Sequence, residues 1–185
     1  MSAFGDTLRA LDNAFRARAV EWYVFGAQAV ALRGAPRATQ DVDVTVSVRR
    51  NCIPALMEAL ESQDIRHRYP DMADELLAHG AVLPLVHRSG MEIDLVIAGS
   101  GLEVIALERA TTIAVEGLDV PVAHATDLVV MKILAGRGKD LDDASALMAT
   151  GEVDVDAARD LLTQLEEALG QSDLVPTLDE MLEGS

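Results

Sequence analysis

The sequence predicts an α/β chain: a short mixed sheet packed on helices to about residue 123, then a small helical subdomain over 124–185. Three observations carry that expectation. An apolar strand, a glycine turn, a helix and a second strand follow one another between Trp22 and Val48. Two apolar runs, Ala81–His87 and Met91–Ile97, flank the turn Arg88-Ser89-Gly90 as a hairpin. Beyond Ala125 the apolar spacing is helical throughout.

Each element has its own signal. Leu8, Leu11, Phe15 and Val20 recur at helical spacing and predict an amphipathic helix over 6–20. Trp22–Phe25 is a strand, and Gly26 turns the chain into a helix over about Ala27–Arg33 that ends at Gly34-Ala35-Pro36. In Asp41–Val48 polar and apolar side chains alternate, as on a strand with one buried face. Asn51 is the expected cap of the next helix, with Pro54 in its first turn. Gln63–Pro70 reads as a polar connection and 71–78 as a short helix. Pro84 predicts an edge position or a bulge for the first hairpin strand. A helix over Leu102–Arg109 and a second hairpin, Thr112–Val115 with Val120–Val122, complete the core. Thr126 is the expected cap of a helix over Asp127–Ala135, with three more helices over 140–149, 156–168 and 174–182.

Composition narrows the function classes. Half of the 185 residues are hydrophobic and only 3% are aromatic, so the core must be built of aliphatic side chains. The single Cys52 excludes an intramolecular disulfide and fits a reducing compartment. No secretory signal is visible and no apolar run is long enough to span a bilayer, which predicts a soluble cytoplasmic protein with no membrane role. The formal charge is −16, and it is uneven: residues 1–90 sum to −1 and residues 91–185 to −15. Extended nucleic-acid binding needs a basic footprint that this chain lacks. Much of the acidity serves solubility.

Chemistry concentrates on one strand. Asp41 and Asp43 are two apart, so their carboxylates share a face while Val42, Val44 and Val46 share the other. Neighbouring carboxylates repel, and a cation is the simplest remedy; oxygen donors of this kind suit Mg²⁺ or Mn²⁺. Just upstream, the backbone N–H groups around Gly26 and Ala27 offer a place for phosphate. A third carboxylate is expected at Asp94, which is enclosed by Ile93 and Leu95; Glu92 lies on the same face and competes for the position. Lys132 sits on an otherwise apolar helix, where an ammonium group must snorkel or meet an anion. Lys139 and Asp143 are four apart and suit a helix-surface pair. The histidines show no zinc spacing.

The order strand, glycine turn, helix, Arg37-x-Thr39-x-Asp41-x-Asp43 resembles the nucleotidyltransferase superfamily that includes DNA polymerase β. In that superfamily a Gly-Gly or Gly-Ser turn precedes an Asp-x-Asp pair and a later third carboxylate; here the turn is Gly26-Ala27. With Lys132-x4-Arg137-x-Lys139-Asp140-x2-Asp143 downstream, the chain also resembles the abortive-infection (AbiEii-like) nucleotidyltransferases of type IV toxin–antitoxin systems and their small relatives. The resemblance covers about residues 20–148. It implies a minimal nucleotidyltransferase core over 1–123 followed by the helical subdomain. The implied activity is metal-dependent transfer of a nucleotidyl group from an NTP to an acceptor hydroxyl on a tRNA end, a protein or a small molecule, with an antitoxin as a possible protein partner. Asp41, Asp43 and Asp94 would ligate the metal, with Asp94 as the alternative general base. Gly26, Ala27, Arg37, Thr39 and Lys132 would contact the triphosphate, and Lys139, Asp140 and Asp143 would support them. Two other readings stand beside it: an aminoglycoside-type adenylyltransferase, for which an acidic cleft is apt, and a non-catalytic nucleotide- or partner-binding module.

Overall fold

The computed structural model describes residues 2–35, 39–79, 81–99 and 101–184. The chain divides into two compact units, residues 1–28 with 38–123 and residues 29–37 with 124–185. The helix α2 (Gly26–Leu32) begins in the first unit and continues in the second, a division that the expected boundary at residue 123 does not include.

The first unit is a seven-stranded mixed sheet with helices. Its strands are β1 (Glu21–Phe25), β2 (Asp41–Ser47), β3 (Ile65–His67), β4 (Val82–His87), β5 (Glu92–Ile97), β6 (Thr111–Val115) and β7 (Leu118–Val122). They are ordered β3-β4-β5-β2-β1-β7-β6. β2 and β5 run parallel, as do β1 and β7; the other neighbours are antiparallel. One face carries Trp22, Val24, Val42, Val44, Val46, Leu83, Leu85, Ile93, Leu95, Val120 and Val122, all buried. The helix α1 (Ala3–Ala17) brings Leu8, Leu11 and Phe15 to this core, with the Phe15 ring 5.1 Å from that of Trp22. α3 (Ile53–Glu61) adds Ile53, Leu56, Met57 and Leu60 and packs on α1. Burying side chains of this size contributes about 1.5–3 kcal/mol each before ordering costs. The other face of the sheet is polar at the starts of β2 and β5 and apolar further along, where Tyr23 and Thr45 are buried. α5 (Gly101–Arg109) packs against β1 and β2, and α4 (Ala73–His79) against β4.

Four local expectations differ from the structure. β4 lies inside the sheet, so Pro84 is not on an edge strand. Its carbonyl accepts from the Arg68 amide at 2.9 Å, beyond the last paired residue of three-residue β3. Proline has no N–H to return to Arg68, so the pairing of β3 with β4 ends at His67, opposite Leu85. β3 itself lies within the segment expected as a polar connection. Asn51 belongs to a 3₁₀ turn, Arg50–Cys52, and α3 begins without a side-chain cap. Thr126 does not cap the helix α6 (Ala125–Ala135): the His124 side chain accepts from its amide at 3.3 Å, while the buried Thr126 hydroxyl accepts from the Asp154 amide at 3.0 Å.

The second unit is helical: α6 (Ala125–Ala135), α7 (Gly138–Met148), α8 (Val155–Leu169) and α9 (Leu174–Glu183). α6 packs on the other three, burying Leu128, Val129, Val130 and Ile133. Gly136 ends α6 in the left-handed region, φ 65°, which a side chain rarely adopts. Arg33, from the segment after α2, lies 3.6 Å from Glu152. Its burial lowers the guanidinium pKa, and the Glu152 carboxylate acts against that.

Candidate active site

β2 and β5 run parallel with their acids in register, Asp41 opposite Glu92 and Asp43 opposite Asp94. Adjacent strands are about 4.8 Å apart, so four carboxylates form a two-by-two patch on the open face of the sheet. Asp41, Asp43 and Asp94 are half-buried and Glu92 is exposed. Val42 and Ile93, between them, point into the core. The alternation that fills the core thus also gathers the acids.

Gly26 closes the patch on the β1 side. Phe25 is opposite Asp43, and Gly26 follows with φ +67°. A Cβ on Gly26 would stand 1.8 Å from Asp43 Oδ2 and 2.6 Å from its Cγ. No side chain fits there without displacing Asp43. Glycine is therefore required twice, for its left-handed backbone and for the space the carboxylate fills. On the next acid, the Thr39 hydroxyl donates to Asp41 Oδ1 and fixes that carboxylate's orientation.

The third position is held by a residue that the sequence did not single out. Arg68, just past β3, donates from Nη1 to Glu92 and from Nη2 to Asp94. The guanidinium is mostly buried, at 19% exposure, and lies 5.7 Å from the ring centre of Tyr69. Burial works against its charge, yet Asp94 and then Glu92 outweigh that and raise its pKa above the ordinary arginine value. The signal available in the sequence was an arginine two residues after Arg66 in an unrecognised strand.

Two aspartates on one strand and one in register beside them offer oxygen donors of the type that Mg²⁺ takes. Among the described residues, no group of three or more His, Cys, Asp or Glu side chains is arranged to hold a metal. Arg68 is a physical obstacle at the third position, because it already holds Asp94.

Solved structures share this architecture. The solution structure of the antibiotic-resistance factor ANT(2'')-Ia matches with a TM-score of 0.61 at 13% identity, over 92% of this chain and 97% of that one. An antigenic nucleotidyltransferase-like protein from Paracoccidioides brasiliensis matches with a TM-score of 0.55 at 17% identity, over 97% and 94%. This chain has the nucleotidyltransferase fold. The lincomycin-bound lincosamide antibiotic adenylyltransferase LnuA shares the fold at a TM-score of 0.50 and 12% identity, over 79% of this chain and 96% of that one. No protein-family model and no curated protein sequence matches the chain.

Within the nucleotidyltransferase fold, the first unit brings together Gly26, Thr39, Asp41, Asp43 and Asp94. Ala27 is buried. Arg37 lies outside the described residues. Lys132, expected at the triphosphate, is only 8% exposed in the second unit and has other anions: it donates to Asp140 Oδ1 at 2.9 Å and Asp143 Oδ2 at 2.7 Å. Arg137 also donates to Asp140, and Lys139 is exposed. The anion that the buried lysine needs is supplied by the next helix.

Proposed function

We propose that this protein is a Mg²⁺-dependent nucleotidyltransferase that moves an NMP group from an NTP to a hydroxyl group of an acceptor. The observation that carries the reading is the in-register set Asp41, Asp43 and Asp94 beside a glycine whose missing side chain makes room for Asp43. Asp41 and Asp43, with Asp94, would hold the metal, which when bound would supply charge neutralisation and Lewis-acid polarisation at the phosphates. Thr39 keeps the Asp41 carboxylate turned to its task. The turn at Gly26 and Ala27 lets the triphosphate approach the backbone closely. In its alternative role, Asp94 instead takes the proton of the acceptor hydroxyl as general base. The acceptor oxygen bonds to the α-phosphorus as the bond to the bridging oxygen breaks, and pyrophosphate leaves with that electron pair. Lys132 takes no part in this chemistry; it ties α6 to α7.

For the acceptor, a small molecule is the reading with most support. ANT(2'')-Ia has been solved in complex with adenylyl-2''-tobramycin (TM-score 0.53, 14% identity, over 80% of this chain and 90% of that one), and LnuA bound to lincomycin. Both share this fold, and that likeness is the support for a small-molecule acceptor. Acceptance of a tRNA end or a protein hydroxyl, with an antitoxin as partner, is the competing reading brought by the sequence resemblance.

Incubation with each α-³²P-labelled NTP and Mg²⁺, against a panel of aminoglycosides, lincosamides, bulk tRNA and cell extract, tests the proposal. Label should pass to a small-molecule acceptor and be lost with Asp41→Asn. Label on tRNA or protein would move the acceptor to the competing class. No transfer to any acceptor, or transfer undiminished in the variant, would overturn the assignment.

A further inference from the structure

Arg68 is the cation that the acidic patch already owns. Across the sheet, one row reads Pro84, Asp94, Asp43 and the next Val86, Glu92, Asp41, each pair in register. Arg68 reaches over Pro84 and joins the two rows by holding Asp94 and Glu92 together. Two donors on a planar fork suit two neighbouring carboxylates as an ammonium group does not. The hold is incomplete, since Arg68 Nε is buried with no hydrogen-bond partner among the described residues. The ring of exposed Tyr69 already lies beside the guanidinium, 5.7 Å from centroid to Cζ, and does not depend on the acids.

We infer that Arg68 is a positioning residue that occupies Asp94 in the metal-free protein and must release it before a divalent cation can take three carboxylates. This rests on the reading of Asp41, Asp43 and Asp94 as metal ligands. Metal binding and the Arg68–Asp94 ion pair are then mutually exclusive. Releasing the pair weakens the first cation's apparent affinity and ties delivery of the third carboxylate to its arrival. Arg66 is the natural control, being exposed on the same face, opposite Val86, with the same charge.

Mn²⁺ binding followed by electron paramagnetic resonance, without nucleotide, tests this. Arg68→Gln should tighten Mn²⁺ binding by about tenfold, the scale of a released charge-assisted pair. Arg66→Gln should change it less than about twofold, the effect of one screened surface charge. In an Asp94→Asn background the Arg68→Gln effect should disappear. Equal shifts in the two arginine variants, or an undiminished Arg68→Gln effect without Asp94, would overturn the inference and leave the metal site standing. Absence of Mn²⁺ binding in every variant would instead remove the metal site itself, and this inference with it.

Discussion

At the scale of single residues, Gly26 is the most constrained position in the site. A methyl group there would collide with the Asp43 carboxylate at 1.8 Å and would also strain a backbone at φ +67°. Gly26→Ala should therefore lower the rate of nucleotidyl transfer by about 100-fold, since displacing a catalytic group by about 1 Å has that effect. The strain itself should cost only about 1–2 kcal/mol of stability. Transfer assays beside thermal melts separate the two, and a variant with normal activity would show that Asp43 has room to spare. Arg68 belongs at the same scale. Its role is set by the two carboxylates it holds, not by any pattern along the chain.

Between elements, the buried cluster of Lys132, Asp140 and Asp143 fastens α6 to α7, with exposed Arg137 also on Asp140. Lys132→Met leaves two buried carboxylates short of a cation and should destabilise the protein by about 3–5 kcal/mol, measured by urea unfolding at pH 7. Burial alone would raise the Asp140 pKa, but hydrogen bonds from Arg137 and Lys132 and their charges hold it below the ordinary aspartate value. An acid whose pKa is depressed on folding stabilises above its unfolded pKa, and that contribution is lost as pH falls through the folded value. Stability in wild type should thus drop below about pH 4, and the drop should shrink in Asp140→Asn. The same elements show what was legible. Val42, Val44 and Val46, and Ile93, Leu95 and Ile97, alternate strictly, so β2 and β5 and their acids are readable in the sequence. β3 is three residues long, with Ile65 its only aliphatic side chain and Arg66 and His67 beside it, and no periodicity announces it. Without β3, Arg68 has no address. Asp140 and Asp143 stand in the same motif as Lys132, but Gly136 turns the chain between them, so their pairing with it across two helices is not set by spacing.

At the scale of the whole molecule, charge and fold pull in different directions. A net charge of −16 opposes compaction, so melting temperature should rise as sodium chloride is increased from about 10 to 200 mM. A melting temperature that falls over that range would mean that ion pairs such as Arg68–Asp94 outweigh the general repulsion. No helix among the described residues is long and apolar enough to cross a membrane. The strand order β3-β4-β5-β2-β1-β7-β6 cannot be read from periodicity, yet it is what sets β2 beside β5 and so Asp43 beside Asp94. Calorimetric titration of the intact protein with each NTP, with and without Mg²⁺, tests that arrangement most directly. Wild type should bind at least one NTP only when Mg²⁺ is present, and Asp43→Asn should lose that binding with an unchanged melting temperature. Mg²⁺-dependent binding that is equal in both proteins, or no binding in any combination, would contradict a nucleotide-metal site on these carboxylates.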